Sequence, residues 1–342
     1  MKKPTHIYKY LTPEAALAVL GSQKIRFSKY TTFNDCFECW LTICPPNEKE
    51  LAEFINEIPN SMSQLKGLYI EYIEDLKKTE KMWNEKANYF RKKGDENTAI
   101  SFEKLIDIQL KSRFKLYGFN KKSLTDKIFL DFFNKNKISF YSELLNIISI
   151  YAFKASHCVQ DGIKNEVPPI ACFSENKSHH LMVGHYTNGG RGLIIEFDFN
   201  KLLLNFKDYK KIEYSKKPSE YRFLDIIKRG EITSKFLEEN VIYKKQIDWE
   251  YEKEWRIMQN LYTKKLNFLD TLFPQDSIKT ILLGPNASIE FSRTVFLLTK
   301  QFYPEAKIKL LTRSLDKYDF VETAEAHDLK HLEGMITGDF SK

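Results

Sequence analysis

Two kinds of hydrophobic pattern divide the chain. Near both ends apolar residues alternate or form short unbroken runs, whereas from residue 47 to about 160 they recur at helical spacing. His6-Ile-Tyr-Lys-Tyr10 alternates and is aromatic, which predicts a strand. Thr12 suits an N-cap and Pro13 a first helical position, so Ala16, Leu17, Val19 and Leu20 form a short amphipathic helix that Gly21 closes. Ile25 and Phe27 share one face of a second strand. A polar and aromatic loop, Tyr30 to Glu38, follows, with Phe33 and Phe37 read as core packing and Asn34-Asp35 suited to an Asx-turn.

The middle segment is rich in Lys, Glu, Leu, Ile and Asn and holds a single proline, Pro59. Leu65, Leu68, Tyr69 and Tyr72 make one helical stripe; Leu105, Ile106, Ile108 and Leu110 belong to another. Gly94-Asp95 breaks two long antiparallel helices. Beyond it, Pro168-Pro169 precedes a buried strand, Ile170 to Phe173. Gly189, Gly190 and Gly192 predict a turn, and Leu193 to Phe197 a strand buried on both faces. Asp198 opens a short helix and 211–214 is a brief strand. Residues 221–246 read as helical, 278–283 as a buried strand, 288–302 as a helix and 306–311 as the final strand. The pattern predicts a mixed α+β fold: a core from 1–45 and 165–315, a helical insertion over 47–160 and a less regular tail over 316–342. Strands near 7–10, 25–28, 170–173, 193–197, 254–258 and 279–283 are expected in one sheet system.

Composition narrows the class. With 342 residues, 42% hydrophobic and 29% charged, the sequence is that of a globular protein of one or two domains. No apolar run reaches membrane-span length, and Met-Lys-Lys-Pro-Thr-His lacks the apolar core of a signal peptide. Five cysteines, an odd count in a long chain, favour a reducing cytoplasm. A net charge of +7 permits a polyanionic partner without demanding one.

Candidate chemistry concentrates in two stretches. One runs from Ile170 to Asp198, where two buried strands bracket Ser174, Glu175, His185, Tyr186 and Arg191. The other is Trp249-Glu-Tyr-Glu-Lys-Glu-Trp-Arg-Ile257. As a strand it places Glu250, Glu252, Glu254 and Arg256 on one face; as a helix it aligns Tyr251, Trp255, Met258 and Tyr262. A solvated acidic face explains the charges equally well. Cys36-x-x-Cys39 supplies half of a structural zinc site, and His327-x-x-x-His331 has Asp328 where the zincin motif has Glu, so no metal is expected. Phosphate-cradling loops, nucleophile elbows and dinucleotide fingerprints are absent from the sequence.

Tyr8-Lys-Tyr10, Phe33-Asn-Asp-Cys-Phe-Glu38, Cys172-Phe-Ser-Glu175, Leu181-Met-Val-Gly-His-Tyr186, Gly192-Leu-Ile-Ile-Glu-Phe-Asp198, Glu252-Lys-Glu-Trp-Arg256 and Ile281-Leu-Leu-Gly284 resemble, in order, the motifs of a bacterial family, domain of unknown function 2971. Cys36 stands where that family usually has Pro, and Val183-Gly184 where it has Trp-Ser. The family is in turn similar, in its strand-helix-strand opening and late strand glutamate, to the ADP-ribosyltransferase superfamily of toxins and phage-defence systems. That second resemblance implies a split β-sheet core and NAD as substrate. It implies Glu254, His185 and Tyr10 as catalytic residues, and Tyr8, Ser28, Asn34, Asp35, Ser174, Tyr186 and Arg256 as NAD-binding ones. The Tyr8–Tyr10 strand and Ser28 would frame the nicotinamide. Glu254 would stabilise an oxocarbenium-like state, as in glycoside hydrolysis. A nucleic-acid or protein acceptor, and a neutralising antitoxin or chaperone, are the implied partners. Two other readings compete: a nuclease using His185, Glu175 and Glu254, and a non-catalytic module that binds protein through its helical insertion.

Overall fold

The computed structural model describes residues 3–57, 61–107, 124–259 and 266–338. The fold is mixed α+β, and the chain divides into two compact units. The first comprises residues 1–40, 160–219 and 233–342; the second comprises 41–159 and 220–232.

The first unit is built on a sheet of ten strands: β1 (His6–Leu11), β2 (Lys24–Ser28), β4 (Ile170–Ser174), β5 (Leu193–Asp198), β6 (Asp208–Lys211), β10 (Glu254–Met258), β11 (Phe268–Leu272), β12 (Ile278–Leu283), β13 (Lys307–Arg313) and β14 (Phe320–Glu322). All six strands expected in one sheet system are in it. β7 (Glu213–Ser215) and β9 (Lys244–Gln246) form a separate parallel pair. In the second unit β3 (Leu41–Cys44) pairs with β8 (Ser219–Arg222).

The sheet opens at β4. Along one edge β4 pairs with β10 through five residues. Along the other it meets β1 only at Tyr8↔Ser174 and β2 only at Ser28↔Ile170. β1 and β2 therefore part along this edge, and the Cys172 carbonyl in the gap accepts from Lys9 Nζ at 2.9 Å, a side chain standing in for a ladder donor.

Alternation gives the two faces different fates. Ile7, Leu11, Ile25, Phe27, Ala171, Phe173, Trp255 and Ile257 join one hydrophobic core. The helices Pro13–Ser22, Ile289–Phe302 and Leu329–Thr337 contribute Ala16, Val19, Leu20, Val295, Phe296 and Leu332 to it. The first helix starts as expected, with Thr12 accepting from Ala15 N, but runs past Gly21 to a left-handed Gln23. After Thr187 the chain turns through Gly189 and Gly190, both at positive φ. A Cβ on Gly192 would strike the Leu11 carbonyl, and one on Gly284 the Gly190 carbonyl, so only glycine lets these backbones meet.

Three expectations need correction. Residues 221–246 are not one helical stretch. Helix Phe223–Arg229 stops at left-handed Gly230, a short helix follows over Ser234–Leu237, and β9 succeeds a π-turn. The tail from 316 is not irregular: β14 extends the sheet from β13, and Asp328 caps helix Leu329–Thr337 by accepting from His331 N. Phe37, expected in the core, is 64% exposed.

In the second unit, on the helix Ser61–Lys92, Leu65 and Tyr69 of the predicted stripe are buried and Leu68 and Tyr72 half-buried, with Ile73 buried beside them. Gly94 turns at φ +80° and Asp95 caps the next helix, Glu96–Leu105. Of the second stripe, Ile106 is buried and Leu105 is exposed, whereas Ile108 and Leu110 lie outside the described residues, as do Pro59 and Tyr262. Among the described residues no helix is long and apolar enough to cross a membrane.

Candidate active site: a cavity at the split in the sheet

The gap between β1 and β2 opens onto a cavity of about 290 Å³, floored by the face of β4 and β10 turned away from the core. Tyr8, Lys9 and Tyr10 come from β1, Arg26 and Ser28 from β2, Cys172 and Ser174 from β4, and Glu254 from β10. Phe33, Asn34 and Asp35 approach from the following loop, Met182 and Tyr186 from helix His180–Tyr186, and Lys245 and Glu252 from β9 and the turn before β10.

Neither the strand nor the helix reading of residues 249–257 holds throughout. Ile247–Glu252 is a 3-10 helix, Lys253 sits at φ 45° ψ 51°, and β10 begins at Glu254. The left-handed Lys253 joins the turn to the strand, and Glu252 and Glu254 both end buried at the cavity, 3% exposed each. Their face is not solvated: a closed ion cluster occupies it. Arg256, fully buried, gives Nε to Glu254 Oε1 at 2.7 Å, Nη2 to Glu254 Oε2 at 3.2 Å and Nη1 to the Ile242 carbonyl at 2.5 Å. Its Nη2 also pairs with Glu38 Oε1 at 2.7 Å. Lys245 Nζ lies 2.6 Å from Glu252 Oε2 and 3.1 Å from Glu254 Oε2, above the Trp249 ring. The Tyr186 hydroxyl donates to Glu252 Oε1 at 2.5 Å, and Glu254 N donates to the Tyr214 hydroxyl at 2.8 Å.

These contacts set the charges. Burial pushes the Glu254 carboxyl up, but the Arg256 guanidinium and Lys245 ammonium outweigh it and hold the group down at about 2. Burial raises Glu38, and Arg256 offsets this only in part. Burial would lower Lys245, yet Glu254, Glu252 and Glu38 together keep it well above its ordinary value. Burial, reinforced by Glu252, raises the Tyr186 phenol, so it stays a donor. Burial and then Glu254 raise the Cys172 thiol, which makes it a poor nucleophile.

Of the residues predicted from sequence, Tyr8, Tyr10, Ser28, Asn34, Asp35, Ser174, Tyr186 and Glu254 line this cavity. Asp35 makes its Asx-turn, accepting from Phe37 N at 2.8 Å, while its Oδ2 is buried without a hydrogen-bond partner. Ser174 Oγ donates to the Glu252 carbonyl at 2.5 Å and accepts from Asn176 N at 2.8 Å, a bracing role. Arg256 and His185 do not line it. Arg256 is spent on Glu38 and Glu254. His185 is exposed on helix His180–Tyr186, where Met182 and Val183 are the buried positions and Tyr186 reaches the cavity. Nor are the groups of the nuclease reading assembled. Glu175 accepts from Lys211 Nζ at 2.8 Å and Trp255 Nε1 at 2.7 Å and does not reach the cavity. Among the described residues no three His, Cys, Asp or Glu side chains form a metal-ligand group.

Glu38, Lys245 and Glu252 were not predicted. Glu252 stood out only as one of several alternating acids, and nothing in the spacing links position 38 or 245 to 254.

Residues 182–257 match the family model described as protein of unknown function (DUF2971). The matched segment carries Tyr186, Lys245, Glu252, Glu254 and Arg256, and it supports the resemblance read from the motifs. Comparison with curated proteins and with solved structures returned no match.

Proposed function

We propose that this cavity takes the nicotinamide end of NAD, breaks the nicotinamide–ribose bond and passes ADP-ribose to an acceptor. The observation that carries the reading is the pair of carboxylates, Glu252 and Glu254, buried at the floor of a cavity walled by Tyr8, Tyr10, Phe33 and Tyr186. Bond heterolysis leaves the electron pair on the nicotinamide nitrogen and positive charge on the ribose. A preorganised carboxylate lowers the energy of that state more than that of the substrate. Nucleophilic attack by the acceptor at the same carbon, with loss of the acceptor's proton, completes the transfer.

Other features support the assignment. The aromatic walls suit a flat, cationic nicotinamide ring. The unpartnered Asp35 Oδ2 offers an acceptor to a ribose hydroxyl. A cavity of about 290 Å³ suits the nicotinamide riboside end, with the rest of the dinucleotide outside it; Arg26, which also lines the cavity, is paired with Asp270 through two hydrogen bonds of 2.9 Å. Arg256 acts here as a positioning residue for Glu254 and not as a diphosphate ligand.

One observation favours a second reading. Glu254 already accepts two hydrogen bonds from Arg256 and one from Lys245, which also suits an ion cluster bracing a pocket that binds without reacting. Calorimetric titration with NAD in the presence of a chelator, followed by a nicotinamide-release assay, separates the two. Binding with release supports transfer. Binding without release supports the bracing reading, and no binding removes both.

A further inference from the structure

The loop that brings Asn34 and Asp35 to the first cavity also builds a second one. The Asx-turn at Asp35 and the left-handed Cys39, at φ 54°, turn alternate side chains in opposite senses. Glu38 points inward to Arg256, while Phe37 and Trp40 line a cavity of about 210 Å³. The two rings meet edge to face, 6.2 Å between centroids. An exposed phenylalanine held against a tryptophan presents a free π-face that packing does not explain.

The rest of that cavity is basic. Lys216, Lys217, Lys244 and Lys245 line it with Pro218 and Gln246, and no Asp or Glu does. Lys216 and Lys217 are exposed on the segment after β7, and Lys244 opens β9 beside it. Lys245 also lines the first cavity, so the two sites share a residue.

Ammonium groups beside exposed aromatic faces are what a single-stranded nucleic acid needs: stacking for a base and cations for the flanking phosphates. We propose that this second cavity binds one nucleotide of a single-stranded nucleic acid, its base against Phe37 and Trp40 and its phosphates on Lys216, Lys217 and Lys244. The binding claim stands without the transfer reading; only the role of the strand as ADP-ribose acceptor rests on it. The net charge of +7 permits such a partner.

The test is fluorescence anisotropy with a labelled single-stranded RNA or DNA oligonucleotide, in the absence of NAD, on the full chain. Three phosphate contacts predict that log Kd rises with log salt at a slope of about 2, since each contributes roughly 0.7 for a single strand. Phe37→Ala should weaken binding by roughly 5- to 150-fold, the cost of one lost stacking contact. Lys216→Ala/Lys217→Ala should cut the salt slope by about 1.4. All three side chains are exposed, so both variants should melt as the unsubstituted protein does. Any of four results would overturn the proposal. These are no oligonucleotide binding, unchanged affinity in both variants, equal affinity for a glutamate-rich peptide, or a free mononucleotide binding as tightly as the oligonucleotide. The assay never uses NAD, so a negative result here leaves the transfer reading standing, and a negative NAD titration leaves this one standing.

Discussion

Strands β4 and β10 show the same pairing and opposite chemistry on their two faces. On one, Ala171, Phe173, Trp255 and Ile257 enter the hydrophobic core. On the other, Cys172 lies opposite Arg256 and Ser174 opposite Glu254 in the same ladder, and both charges are as deeply buried as the apolar residues behind them. The apolar face is held by packing and tolerates apolar side chains of similar volume. The charged face is held by mutual compensation, so each member matters through the partner it would leave bare. A sheet face with charged residues at alternate positions is therefore not necessarily wet.

The largest break in that comparison should come from Arg256. Arg256→Met keeps the volume and leaves Glu38 and Glu254 without their guanidinium, a loss of about 3–5 kcal/mol in urea unfolding at neutral pH. Ile257→Ala, on the apolar face, should cost about as much, roughly 2–5 kcal/mol, through its cavity. Acid distinguishes the two. Glu254 is held below its unfolded value, so its stabilisation is complete above the usual carboxylate range and is lost as pH falls toward about 2. Without Arg256 both carboxylates become easier to protonate. The Arg256→Met penalty should therefore shrink as pH falls through the carboxylate range, while the Ile257→Ala penalty should not.

Glu254→Gln sharpens the comparison at the level of function. It keeps the shape, removes the charge and should lower nicotinamide release by roughly 10²–10³. Glu252→Gln, which removes the other carboxylate at the cavity floor, should also impair release. A smaller effect is expected at the junction of turn and strand. Lys253 is exposed and left-handed, so Lys253→Gly should change stability by under about 1 kcal/mol, strain relief offsetting chain entropy. Lys253→Val should cost more, because β-branching resists that conformation. Glu250, exposed on the 3-10 turn, should be silent: Glu250→Gln stays within about 0.5 kcal/mol with unchanged activity.

The sequence carried the apolar half of this architecture well. Alternation in 6–10 and 24–28 and the apolar run at 170–173 mark three strands, because burial of side chains in a sheet leaves such a trace, whereas 249–257 suited a strand and a helix alike. The opposite face leaves no such trace. The same pattern serves a solvated surface and a buried ion cluster, and only the fold brings Glu38, from a loop after β2, onto Arg256 and Lys245, from β9, onto Glu254. Arg256 was therefore read as a ligand contact when it is a counter-ion. His185 was misplaced for a different reason. Its motif was read without the packing of helix His180–Tyr186, which buries Met182 and Val183, brings Tyr186 to the cavity and leaves position 185 exposed. Phe37 was assigned to the core on hydrophobicity alone, and the Asx-turn that precedes it turns it outward.

The central claim is that the charge on Glu254 acts on a bound substrate and does more than brace the fold. Nicotinamide release from NAD by the unsubstituted protein and by Glu254→Gln, at a temperature where both are fully folded and with NAD affinity measured in parallel, tests it most directly. The account predicts release by the unsubstituted protein, a fall of roughly 10²–10³ in the variant and NAD affinity reduced far less. A folded Glu254→Gln protein that releases nicotinamide at the unsubstituted rate would contradict it.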